Sequence, residues 1–291
     1  MKKNLFYMMA ATIVALISVS FVSCGDDEED DFSSEKPSAL LKDANGNAIK
    51  LISAGNVEII YDADGKLSIL KSPNTSLIFD GPNLTCSTND GGTIVYKFSL
   101  NGKGFLTKME ANAVLSDSHG TMTTTFNYNS NDQLTSIRSV SHGIYDNGVE
   151  EIAEQNQTNT WENGKLVKAT FVDNGKVVNG IREETWEESY FYTIEYGTQA
   201  NPAKQLSLFL GNIATGLENT GLFAMIGLLG VGPDYLPTGY SVEYLYAENG
   251  VPDGHGARKS NYTLSYELND NGTIAKETKG RSQSVSYRYD K

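Results

Sequence analysis

Chemistry needs titratable or nucleophilic side chains that can converge, and this sequence supplies few such sets. Of its three histidines, His119 and His142 each sit between a serine and a glycine, and neighbouring hairpins could bring them together. A metal site would then need Asp117 or Asp146 as a third ligand. The spacing matches no zinc pattern, so both histidines are expected to mark strand ends or turns. His255, in Pro252-Asp253-Gly254-His255-Gly256, reads as a loop residue. Asp62-Ala63-Asp64-Gly65 invites a calcium reading, which fails: a helix-loop-helix calcium loop places glycine sixth and a bidentate glutamate twelfth, whereas here glycine is fourth and Pro73 twelfth. Glu183-Glu184 and Glu187-Glu188, around Trp186, form a carboxylate cluster that would suit glycoside hydrolysis. Adjacent strand residues point to opposite faces, so a solvated face is the expectation. No nucleophile elbow, phosphate loop or dinucleotide fingerprint occurs. The residues assign no catalytic, metal or cofactor site.

The two cysteines have different contexts. Cys86, between Thr85 and Ser87 in a strand-like stretch, reads as a small buried residue. Cys24 ends an apolar run, Leu5 to Val22, that follows Lys2 and Lys3, the order of charge and apolar core found in a secretory leader. Phe21-Val22-Ser23-Cys24 resembles the small-residue-then-cysteine box of bacterial lipoprotein precursors. The six acids from Asp26 to Asp31 resemble the export signal of Bacteroidetes surface lipoproteins. That resemblance implies a signal peptide over 1–23, an acidic tether over 24–36, and Cys24 as the lipid-bearing, palmitate-type first residue of the mature chain. It also implies an outer-membrane location facing the cell surface, with the periplasmic face as the alternative. With Cys24 acylated, Cys86 has no intramolecular partner.

Charge narrows the partners. With the leader removed, 21 basic residues face 36 acidic ones, a net charge of −15, and the body from Lys36 onward carries −8. Such a body lacks the clustered cations that nucleic-acid binding requires. An anionic membrane surface would repel it, which leaves the lipid on Cys24 as the membrane attachment.

The rest of the chain is a regular scaffold. Apolar and aromatic residues alternate with polar ones in Ile94-Tyr96-Phe98-Leu100, Met122-Thr124-Phe126-Tyr128, Tyr190-Tyr192-Ile194-Tyr196 and Val242-Tyr244-Tyr246, the period of half-buried strands. Between such runs recurs a turn: Tyr61-Asp62-Ala63-Asp64-Gly65-Lys66-Leu67, then versions at Tyr128 to Leu134, Trp161 to Leu166, Phe171 to Val177 and Leu268 to Ile274. Asn-Gly and Asp-Gly accept the positive φ that hairpins need. The pattern predicts an all-β, antiparallel, up-and-down meander of about a dozen or more strands. Such a meander hides its edges by curling into a full or partial barrel. A charge-poor stretch near 203–237 breaks the beat and is expected to form one or two short helices with a loop, set against the apolar face of the sheet as a plug. Residues 37–291 read as one domain.

Taken together, the leader, the acidic tether, the tyrosine-rich hairpins and Leu228-Leu229-Gly230-Val231-Gly232-Pro233-Asp234-Tyr235-Leu236-Pro237 resemble a Bacteroidetes lipoprotein family of unknown function with a porin-like fold. That family has no established activity to carry over. Alternation alone fits a membrane barrel as well as a water-facing one. The lipid anchor, the spread of tyrosines along strands and the Tyr289-Asp290-Lys291 end favour the water-facing case. The expected function is a non-catalytic binding or interaction module for a glycan, peptide or envelope protein. The alternatives are a hydrolase with its site in the barrel mouth, or a structural partner of an outer-membrane transporter.

Overall fold

The computed structural model describes residues 37, 41–71, 76–80, 83–87, 92–216, 221–253 and 256–290. Cys24, the acidic run after it and His255 lie outside the described residues. The alternating segments form short strands first: β1 (Leu51–Ala54), β2 (Val57–Tyr61), β3 (Leu67–Lys71), β4 (Ser76–Asp80), β5 (Asn83–Ser87), β6 (Thr93–Leu100) and β7 (Leu106–Val114). Longer ones follow: β8 (Ser118–Tyr128), β9 (Leu134–Tyr145), β10 (Val149–Glu162), β11 (Lys165–Asn179), β12 (Arg182–Ala200) and β13 (Tyr235–Glu248). The chain finishes with β14 (Val251–Pro252), β15 (Arg258–Leu268), β16 (Ile274–Lys279) and β17 (Gln283–Tyr289). Each strand pairs antiparallel with its successor, except that β13 pairs with both the two-residue β14 and β15. The last strand pairs with the first, Leu51 opposite Tyr289 and Ala54 opposite Tyr287. The sheet is therefore a closed 16-strand barrel. Closure removes both exposed edges, which an open meander of this length would leave as sites for pairing with other chains.

Several hairpins at one end of the barrel share a single loop geometry. Asp62 accepts through Oδ1 from the backbone N–H groups of Asp64 and Lys66 at 3.2 and 2.9 Å. Asn101 does the same for Lys103 and Phe105, and Asn129 for Asn131 and Gln133. The residue three further on has positive φ, 75° at Gly65, 86° at Gly104 and 62° at Asp132. The recurrent Asp or Asn thus closes a turn by accepting from two backbone donors.

One expected turn does not form. Phe171 to Val177 lies within the continuous strand β11, and the hairpin turn falls later, at Gly180 and Ile181 between the paired Asn179 and Arg182. Gly175 is required there for space: a Cβ on it would stand 2.1 Å from the ring of Trp186, its partner across the strands.

At the plugged end the barrel is apolar inside, and its outer wall is mostly polar. Along β8, Ser118, Gly120, Met122, Thr124 and Phe126 are buried, whereas Thr121, Thr123 and Thr125 are exposed. On β15 the outward residues are Lys259, Asn261, Thr263, Ser265 and Glu267. The insert between β12 and β13 enters the barrel at the end where the shared loops lie, as α1 (Leu208–Thr215) and α2 (Gly221–Met225). Leu210, Ile213, Ala224, Met225, Ile226, Leu228 and Leu229 join the core formed by Leu51, Leu67, Leu84, Ile94 and Leu134. At about 25 cal/mol per Å² of apolar surface removed from water, this burial is what holds the plug.

Polar contacts orient it. Ser207 caps α1, and the buried Glu277 of β16 accepts from the N–H groups of Leu208 and Phe209 and from the Tyr287 hydroxyl. A carboxylate at a helix N-terminus meets donors that would otherwise lack partners. Asn159 and Gln157 of β10 donate to the carbonyls of Ala214 and Ile213 at 2.8 and 3.0 Å.

Candidate functional site

The apolar filling does not extend along the long strands. Above the plug, the inward positions of β9 to β12 turn polar and aromatic: Tyr145 on β9; Glu151, Gln155 and Gln157 on β10; Phe171 and Asp173 on β11; Glu184, Trp186, Glu188 and Tyr190 on β12. Strand pairing sets Asp173 beside both Gln155 and Glu188, and Glu188 beside Tyr246. The result is an acidic, tyrosine-lined chamber on the inner wall.

Its three central carboxyls are held differently. Glu188 accepts from the hydroxyls of Tyr190 and Tyr244 at 3.2 and 3.0 Å. Glu151, 6% exposed, accepts from the Tyr145 hydroxyl at 3.3 Å. Asp173, 8% exposed, accepts from Gln155 through Oδ2 at 3.3 Å, while its buried Oδ1 has no donor. Burial disfavours the charged form of each. It pushes Glu151 up to about 7 and Asp173 up to about 6, each further raised by a neighbouring acid, and it raises Glu188.

From the carboxyls a ladder of inward tyrosines runs across β12, β13 and β15. Ring centroids are 4.9 Å apart for Tyr190 and Tyr244, 6.4 Å for Tyr190 and Tyr192, 6.0 Å for Tyr192 and Tyr240, and 4.9 Å for Tyr240 and Tyr262. At its far end the Nζ of Lys279 lies 4.4 Å from the centre of the Tyr262 ring, a cation held against an aromatic face.

His119 and His142 lie on β8 and β9 and share the outer face, two register positions apart; His142 is 3.4 Å from Glu150. Among the described residues no group of three or more His, Cys, Asp or Glu side chains could hold a metal ion. Cys86 is buried in the core, its thiol pushed up to about 11 by burial. The acidic pairs around Trp186 split between faces as alternation requires: Glu183 and Glu187 are exposed, but Glu184 and Glu188 face inward. The solvated-face expectation therefore holds for one member of each pair. Asp173 was hidden by the expectation of a turn at Asp173-Asn174-Gly175. The available signal was the unbroken alternation of Ala169, Phe171, Asp173, Gly175 and Val177, with the turn following Asn179 at Gly180-Ile181.

The architecture is that of a closed, porin-like β-barrel. A crystallised porin-like protein from Bacteroides vulgatus ATCC 8482 has the same fold, with a TM-score of 0.50 and 14% identity over 84% of this chain and 99% of that one. A porin-like protein from Bacteroides uniformis ATCC 8492 matches at a TM-score of 0.45 and 17% identity, covering 83% and 96% of the two chains. No family model matches the sequence, and no curated protein matches it either. At this identity the likeness is one of fold, and the porin-like architecture is what the sequence resemblance implied.

Proposed function

We propose that this chain is a water-facing, non-catalytic binding module of the cell envelope, tethered to the outer membrane through a lipid on Cys24, and that it takes its ligand into the acidic, tyrosine-lined chamber. The carrying observation is the polarity of the two walls. A strand-spanning membrane barrel presents an apolar outer band of about 25 Å to lipid and a polar lumen. Here threonines, lysines and glutamates make up most of the outer wall, with Ile78, Val114, Phe191 and Leu245 among them, and the buried apolar core faces in. No helix among the described residues is long and apolar enough to cross a membrane. Within the barrel, the chamber combines ring faces with hydrogen-bonding carboxylates, the mixture by which small-molecule sites hold and orient a ligand.

Two measurements test this. Radiolabelled palmitate should enter the wild-type protein and not Cys24→Ser; equal labelling removes the anchor from the reading. Titration of the tethered barrel with glycans and peptides should give a ligand whose binding is lost in Tyr190→Leu; a ligand unaffected by chamber substitutions removes the chamber.

A second reading is a hydrolase, supported by the inward carboxyls Glu151 and Asp173, which burial pushes up to about 7 and about 6. Neighbouring acids tuned this way are what general acid–base catalysis uses. Turnover of a glycoside or ester that Glu151→Gln abolishes would put this reading ahead of the binding module.

A further inference from the structure

We propose that the floor of the chamber is a binding site for an organic ammonium group, held by Asp173 and Glu188 and walled by Tyr190 and Tyr244. The proposal rests on the chamber being the ligand site and names the chemistry of what enters.

Asp173 gives the first reason. It is more than nine-tenths buried and points inward, and its Oδ1 accepts from no donor. Buried carboxylates ordinarily collect several donors or a counter-charge, so this oxygen is an acceptor waiting for a donor that the chain does not provide.

The charge balance around it gives the second. The acids at the site are Glu151 from β10, Asp173 from β11 and Glu188 from β12, with Glu184 nearer the strand tip and Glu248 on β13. The neighbouring titratable hydroxyls are Tyr145 on β9, Tyr190 on β12, and Tyr244 and Tyr246 on β13. The cations nearby already have partners: Arg258 of β15 pairs with Asp253 at 3.0 Å, and Arg182 with Glu184 at 2.7 Å. Among the described residues no lysine or arginine pairs with Glu151, Asp173 or Glu188.

The walls choose between kinds of cation. Among the described residues no set of three or more His, Cys, Asp or Glu side chains could hold a metal ion. Tyr190 and Tyr244, 4.9 Å apart, offer ring faces that attract an alkylammonium more than a hydrated metal ion. An ammonium brings three donors, enough for Asp173 Oδ1 and the oxygens of Glu188. Such a group could come from an amino sugar or from a lysine side chain.

Matched pairs that differ only by N-acetylation test the proposal on the full-length protein. One pair is a glucosamine oligosaccharide and its N-acetylated form; the other is a lysyl peptide and its acetyl-lysine form. Binding is read by calorimetry and by the change in tryptophan emission, to which Trp161 contributes a background and Trp186, whose ring packs on Gly175 two residues from Asp173, the local signal. The free-amine member of at least one pair should bind about tenfold or more tightly than its acetylated partner, and which pair responds identifies the source. Asp173→Asn should weaken that binding by about tenfold or more while leaving the unfolding midpoint the same or higher, so a loss is not a failure to fold. Binding should also fade from about pH 7 to about pH 5 as Asp173 and Glu151 take up protons.

Equal binding of both members of a pair, with loss in Tyr190→Leu, would overturn the ammonium assignment and leave the chamber as a neutral-ligand site. Calcium binding that Asp173→Asn removes would replace it with a metal site. Free-amine binding unchanged by Asp173→Asn would overturn the site. Silence from all four probes would overturn the ammonium site, while a ligand found outside these pairs and lost in Tyr190→Leu would still support the chamber.

Discussion

Two buried acids in this barrel, Glu277 at the plug and Asp173 in the chamber, face opposite circumstances. Around Glu277 the fold has gathered two backbone N–H groups from the start of α1 and the hydroxyl of Tyr287, and the acid fastens the insert to β16. Around Asp173 it has gathered one side-chain amide, from Gln155, and has set Glu188 beside it. Both sit on inward positions of antiparallel strands, so alternation treats them alike. The difference lies in what occupies the lumen at each level. Where the insert fills it, a buried acid acquires donors and becomes an anchor. Where the lumen is left to polar groups, the acid keeps a free oxygen and a repelling neighbour, and a proton or a ligand must supply the rest.

The largest expected effect tests the filled region. Leu229 is fully buried in the plug, and Leu229→Ala should cost about 3 kcal/mol in urea unfolding through lost transfer energy and a residual cavity. A loss under about 1 kcal/mol would mean that the insert is not part of the cooperative core.

Next, at the boundary of the chamber, Gly175→Ala should destabilise by about 2 kcal/mol and shift Trp186 emission, because the new methyl overlaps the ring. An unchanged spectrum would show that Trp186 does not pack there.

In the chamber the sign reverses. The folded state raises Asp173 from 3.8 to about 6, so it binds more protons than the unfolded chain between those values, and this group's contribution to stability falls as pH rises through that window. Asp173→Asn removes the buried charge and should gain about 1 kcal/mol at about pH 8, with the gain gone near pH 4. Denaturant midpoints at the two pH values check it; a loss at pH 8 would mean that Asp173 is an anchor like Glu277.

The smallest effect is expected at the shared loops, away from both regions. Asp62→Ala leaves the N–H groups of Asp64 and Lys66 to water and should cost about 1 kcal/mol or less in thermal unfolding. A larger loss would give the loops a greater share of stability than the plug-and-chamber contrast assigns them.

Much of the scaffold was legible because a strand writes its two faces into alternate residues. Met122, Thr124 and Phe126 announced an inner face, and Asp62 to Gly65 a turn. The low charge of 203–237 announced a buried insert. The chamber was less legible. Asp173-Asn174-Gly175 reads locally as a turn, and only the Trp186 ring on a neighbouring strand shows why glycine stands there within a strand. Glu188 was visible as an acid with a face to choose, whereas its tyrosine partners come from its own strand and from Tyr244, 56 residues away.

By itself, then, the sequence determined the all-β class, the hairpin succession and the inward set, because these follow from a two-residue period and from local turn chemistry. Tertiary structure decided that β17 meets β1, that the insert fills one end only, and that Glu151, Asp173 and Glu188 share one wall. Those outcomes depend on strand register around a closed ring and on which side chains meet across it, and no stretch of chain shorter than the ring carries that information.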